Sequence, residues 1–189
     1  RSVIALAALA VVVSAQGPNF CPYIGNYIPS ECMPNPTCTS IKCGLHWGDY
    51  FDFTAAIDLS LCAVPASFGV DLDLSEPISL DWSHSWGLDE SASIAVPGAS
   101  IGFDDIDAGL FVDGEVSGDL EDLRLTIAFD VCAQIFDDKI CGADLARHIS
   151  VLQPYIPFTV FNHTFQLPDN LCDGTMTEEE QAMYLRGGQ

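Results

Sequence analysis

The chain is poor in positive charge. Lysine and arginine together supply 6 of its 189 residues against 27 aspartates and glutamates, a formal net charge of −21 at pH 7. Such a surface has too few cations to neutralise phosphates, so nucleic acid and anionic membranes are excluded as partners. The field favours divalent cations or basic partners and keeps the chain soluble. Metal and redox motifs are the second absence. There is no CxxC pair, no H-E-x-x-H, no EF-hand loop and no glycine-rich phosphate loop. The third is the long apolar run. Only Val3 to Val13 is continuously apolar, and a bilayer span needs roughly 20 such residues. No transmembrane segment is expected.

That short run has its own meaning. Arg1 precedes it, and Val13 and Ala15 place small residues at the −3 and −1 positions of a cleavage site. This is the pattern of a secretory signal peptide over residues 1–15. The missing initiator methionine points to a leader truncated at its start. Cleavage would leave a chain beginning near Gln16, with five basic residues and a net charge of −22. Eight cysteines agree with an oxidising destination: Cys21, Cys32, Cys38, Cys43, Cys62, Cys132, Cys141 and Cys172. An even set in a secreted chain predicts disulfides rather than zinc or thiol chemistry. Asn162-His163-Thr164 is an N-glycosylation acceptor and calls for a surface position. The expected location is extracellular.

The dominant pattern is a period of two. From Leu123 to Ile135 every odd residue is apolar, and the upstream even positions Ile106, Ala108, Leu110 and Val112 match it. Side chains of a strand alternate faces, so this is a half-buried β-hairpin, with its turn at Ser117–Asp122. The same alternation runs through Phe53, Ala55, Ile57 and Leu59, through Val70, Leu72 and Leu74, through Ile78 to Trp86, and through Ala92 to Phe103 with a phase shift at Pro97-Gly98. Aspartate and serine occupy the opposite faces. The predicted fold is mainly β: an antiparallel β-sandwich, cup or barrel of six to nine short strands.

Residues 52–172 form this β domain. Residues 16–51, rich in cysteine and proline and without a sustained period, read as a disulfide-pinned loop segment packed on it. Residues 173–189 read as an acidic tail with a short helix, because Thr177 to Glu180 has capping-box spacing. A second helix is predicted from Gly142 to Leu152, where Leu145, Ile149 and Leu152 share a face. If Ile135 to Asp138 is a tight turn, Cys132 and Cys141 lie across from each other and form one bridge. The other pairings stay open.

Catalytic patterns are weak. Gly98-Ala99-Ser100-Ile101-Gly102 has the letters of a serine-hydrolase elbow, but an acidic link into another strand follows it instead of a helix. His46, His84, His148 and His163 are scattered. Asp104, Asp105 and Asp107 offer hard oxygen ligands for weak calcium binding, and no other cofactor is implied. Trp82, His84 and Trp86 share an apolar face on which aromatic rings could stack against a ligand, and Phe129 belongs to the same interior. Phe161, His163 and Phe165 repeat the arrangement.

Two non-enzymatic functions follow. One is a secreted carrier of a hydrophobic small molecule or lipid, bound at Trp82, His84, Trp86 and Phe129. The other is a structural or interaction protein of an extracellular matrix, mucus or coat. Its acidic strand faces would meet calcium or basic extracellular partners, and its strands could support self-association.

Overall fold

The structure, a computed structural model, describes residues 17–47, 51–76, 79–103, 106–135, 138–142, 144–145 and 158–173. Their strands are β1 (Cys32–Pro34), β2 (Ser40–Trp47), β3 (Phe51–Ser60), β4 (Ser67–Glu76), β5 (Leu80–Gly87), β6 (Glu90–Phe103), β7 (Ile106–Ser117), β8 (Leu123–Ile135), β9 (Asp138–Cys141) and β10 (Phe158–Phe165). They build two antiparallel sheets. The first has the order β1-β2-β3-β4-β5; the second has the order β10-β8-β7-β6, with β9 paired to β8.

The alternation in the sequence is the alternation of burial. In the first sheet Phe53, Ala55, Ile57 and Leu59 of β3 and Phe68, Val70, Leu72 and Leu74 of β4 are buried. Asp52, Thr54, Asp58, Asp71 and Asp73 between them are exposed. The register sets Ala55 opposite Leu72 and Phe53 opposite Leu74. A slip by one residue would put this apolar set in water and the aspartates in the core, so the register is strongly specified. In the second sheet Leu110, Val112 and Val116 of β7 are buried with Leu125, Ile127, Phe129 and Val131 of β8.

The turn between β7 and β8 falls at the expected residues. Gly118 adopts φ +88°, and a Cβ there would run into the carbonyl oxygen of Asp122, so glycine is required by both conformation and space. The Asp119 carboxylate then accepts from the backbone N–H groups of Glu121 and Asp122, each at 3.1 Å, and caps the 3-10 turn Leu120–Asp122.

Buried residues of both sheets belong to one apolar cluster, and no charged or polar residue is buried among those described. Phe53 of β3 meets Phe129 of β8 edge-on at 5.7 Å. Trp86 of β5 lies flat on Phe68 at 5.0 Å and closes over Gly114 of β7. Phe129 also packs against Phe158 of β10.

The Cys/Pro-rich segment, expected as loop, contains regular secondary structure. It begins with the short helix α1 (Cys21–Ile24) and a 3-10 turn, Gly25–Tyr27, and it contains β1 and the eight-residue β2. Ile41, Cys43 and Leu45 of β2 are buried, while Lys42, Gly44 and His46 are exposed. The period of two was therefore present. Counted as a bridging residue, Cys43 did not register as an apolar one, although a buried disulfide cysteine packs as one.

Four disulfides join Cys21 to Cys38, Cys32 to Cys43, Cys62 to Cys172, and Cys132 to Cys141. The expected bridge between Cys132 and Cys141 thus links residues that face each other on β8 and β9. Of the expected helix over 142–152, Gly142, Asp144 and Leu145 are described and helical, with Leu145 buried; the rest lies outside the described residues. The expected leader over residues 1–15 and the helix expected in the terminal segment, from residue 174 onward, lie outside them too. No helix among the described residues is long and apolar enough to cross a membrane.

Candidate functional site

The outer face of the first sheet carries an open depression. The register aligns Lys42 of β2, Ala56 of β3, Asp71 of β4 and Ser83 of β5 in one row. Thr54, Asp73 and Asp81 make the next row. Alternation turns all of them away from the core. Because Ala56, Thr54 and Ser83 are short, the sheet leaves an open hollow of about 420 Å³ between its flanking aspartates. Leu72 and Trp82 complete the lining.

Its electrostatics are lopsided. Three carboxylates, Asp71, Asp73 and Asp81, share the hollow with one ammonium group, that of Lys42. Asp73 and Asp81 stand directly across from each other on β4 and β5, an arrangement that costs stability and persists only as a like-charge pair open to water or to a cation. The contact of His46 Nδ1 with Asp52 at 3.1 Å and the ion pair of Arg124 with Glu115 at 3.2 Å lie outside the hollow.

The outer face of the second sheet holds a different group. Asp130 is half-buried on β8, and desolvation pushes its pKa up to about 6 from 3.8, with the nearby Asp113 carboxylate adding to the rise. The N–H of Val131 and the charge of Lys139 oppose the shift. Lys139 sits 3.7 Å from the centroid of the Phe111 ring and donates to Ser93 Oγ at 2.7 Å. Asp130 lies within metal-ligand reach of Cys132 and Cys141, but those sulfurs are bonded to each other and offer no thiolate.

The aromatic group expected on β5 is assembled, with graded exposure. Trp82 stacks on His84 at 6.0 Å, and His84 meets Trp86 edge-on at 4.6 Å. Trp86 is fully buried and donates its indole N–H to the Ala92 carbonyl oxygen at 3.3 Å. Trp82 and His84 are half-buried. The Nε2 atom of His84 is buried and has no hydrogen-bond partner among the described residues. Phe129, the fourth expected ligand contact, is fully buried between Phe53 and Phe158 on the other sheet.

Among the expected calcium ligands, Asp104 and Asp105 lie outside the described residues, as does the side chain of Asp107, whose backbone pairs with Gly102. Asn162 is exposed on β10. On the same strand Phe161 and Phe165 are buried, and His163 stacks on Tyr27 at 4.2 Å. The Gly98–Gly102 stretch lies within β6, which continues to Phe103 and pairs with β7; there is no strand-to-helix elbow at Ser100.

Compared with known proteins, the chain matches no family model, no curated protein and no solved structure. The functional reading therefore rests on the geometry. Sequence reasoning saw an acidic strand face but not the hollow. Asp71, Asp73 and Asp81 were legible as outward positions; their gathering with Lys42 and Thr54 depends on register across four strands.

Proposed function

We propose that this protein is an extracellular, non-enzymatic interaction protein, a disulfide-braced β-sandwich that holds basic partners on the acidic outer face of its first sheet. The observation that carries the reading is the open hollow in which Asp71, Asp73 and Asp81 outnumber Lys42. Four disulfides fit an oxidising compartment, and the high acidic excess steers cationic partners toward the chain. The exposed Asn162 is positioned to carry a glycan on the other sheet, away from this face. Calcium would act here as a weak, diffuse counter-ion. Among the described residues, the three acidic or cysteine ligand atoms that come within reach of one ion belong to Asp130 and a disulfide, not to this face.

The carrier reading draws its support from Trp82 and His84, the half-exposed members of the aromatic group. Trp86 and Phe129 would reach a ligand only if the core opened around them.

The test is titration of the secreted protein with a lysine-rich peptide at rising salt. Tight binding at low salt should weaken steeply as salt screens the charges, and the D71N/D73N/D81N variant should lose about tenfold in affinity. A matched removal of three carboxylates away from this face, D113N/E115Q/E121Q, should cost much less. Equal losses would reduce the effect to net charge, and no binding at low salt would end the proposal. Native mass spectrometry of the same preparation tests the carrier reading: a mass lost on organic extraction would replace the interaction role by that one.

A further inference from the structure

Among the described residues the two sheets end laterally at β1, at β5, at β6, and at β10 with the four-residue β9 beside it, and all but β5 are blunted. β1 is three residues long and ends at Pro34. β6 is broken by a register shift between Ala95 and Ser100 that contains Pro97. β10 is interrupted between Thr159 and Phe161 and exposes the glycan acceptor Asn162. Short length, proline, bulges and bulky charge are the devices by which natural sheets prevent further pairing. β5 has none of them beyond a single charge, that of Asp81. It runs eight residues, contains no proline or lysine, and pairs with β4 without a shift from Ser67–Gly87 to Leu74–Leu80. Among the described residues no strand pairs with its other edge.

The side chains along β5 differ from those one strand further in. Val70 and Leu72 of β4 are fully buried, whereas Leu80, Trp82 and His84 of β5 are half-exposed. Ala92 and Ile94 of β6 are half-buried as well. The apolar row packs against the core but is only partly covered where the first sheet ends. On the opposite face of the same strand, Asp81 and Ser83 form the rim of the acidic hollow with Asp71 and Asp73 behind them.

We infer that the β5 edge accepts an extended segment of a basic partner protein, which adds to the first sheet as a sixth strand. The inference rests on the interaction role proposed above and names its mode. A strand side by side with β5 would project alternate residues to the two faces. One set would cover Trp82 and Leu80 and needs to be apolar. The other would stand beside Asp81, Asp73 and Asp71 and needs to be basic. Main-chain hydrogen bonds then supply affinity, and the alternation supplies specificity. A second copy of this chain is the wrong occupant. It would bring its own Asp81 and Ser83 edge, part of a molecule of net charge −21, against the same carboxylates.

The experiment uses the intact secreted protein and three peptides: alternating lysine and valine, the same residues with N-methyl groups on every backbone nitrogen so that neither edge can donate, and the same residues scrambled to lose the alternation. The inference expects the alternating peptide to bind at least about tenfold more tightly than the N-methylated one, because methylation removes the edge hydrogen bonds and leaves the charge. Slowed hydrogen exchange should appear in residues 80–87. Equal affinity for all three peptides, with unchanged exchange in β5, would overturn strand addition while leaving the acidic face as the docking surface. Binding of none of them would remove both. A protein that sediments as a dimer and slows exchange in residues 80–87 without peptide would assign the edge to self-pairing and overturn the inference.

Discussion

The indole of Trp86 lies over Gly114 where a side chain would otherwise begin, and a Cβ added at that glycine would overlap the ring. Gly114 is also a central residue of the second sheet, paired with Ala92 on one side and Ile127 on the other. In a strand interior glycine usually weakens the structure, and here it marks the close approach of another element. Replacing Gly114 by alanine should therefore destabilise the fold by about 1–3 kcal/mol through overpacking rather than stabilise it through reduced chain entropy. Urea unfolding of the variant would show this as a lower midpoint with an unchanged slope. The sequence marked Trp86 as an inward-facing aromatic, because alternation from Ile78 was intact. It held no sign that the ring's partner is a glycine 28 positions away, since a residue without a side chain leaves no mark on a hydrophobic pattern.

At the scale of an element, β8 is the strand most legible in the sequence and the one whose outer face was least understood. Its odd positions are the buried ones from Leu123 to Ala133, as the period of two requires. Its even positions are not uniformly wet. Ala128 and Cys132 are buried, and Asp130 between them is half-buried, close to the bridge to Cys141 and the Lys139 that follows on β9. Burial makes protonation of Asp130 easier in the folded state than in the unfolded chain. Its contribution to stability is therefore full below about pH 4 and is lost as pH rises through about 6. Asp130→Asn removes that loss. It should leave stability nearly unchanged at pH 4 and raise it at pH 8 by about 1 kcal/mol, discounted because the group is half-exposed. Thermal unfolding across that range checks the sign; a variant less stable at pH 8 would show that the carboxylate is favourably paired. The reverse holds for β2, whose alternation is hidden in the sequence because Cys43 and Gly44 interrupt the usual apolar and polar letters.

Across the whole molecule, the bridge from Cys62 to Cys172 matters most. It closes 110 residues and joins the turn after β3 in the first sheet to the segment following β10 in the second. The bridge from Cys132 to Cys141 closes 9 residues within one strand pair. If disulfides act mainly by restricting the unfolded chain, loss of the long bridge should cost about 5 kcal/mol and loss of the short one about 2.5 kcal/mol. Paired serine variants, C62S/C172S and C132S/C141S, compared by denaturant unfolding, would test that order. The reverse order would place the stabilising effect in local geometry instead of chain entropy.

The strand faces, the β7–β8 turn and the acidic character of the chain were legible in the sequence alone, as was the Cys132–Cys141 bridge once a turn between β8 and β9 is granted. Each depends on residues close together in the chain, through side-chain alternation, turn chemistry or simple charge count. Tertiary structure decided the rest: three disulfide pairings, the incorporation of β2 into the first sheet, the contact between Trp86 and Gly114, and the gathering of Asp71, Asp73 and Asp81 around one hollow. These depend on register and sheet order, which bring residues from separate strands side by side. A periodic pattern says which way a side chain points but not which neighbour stands beside it, and function on this surface is a matter of neighbours.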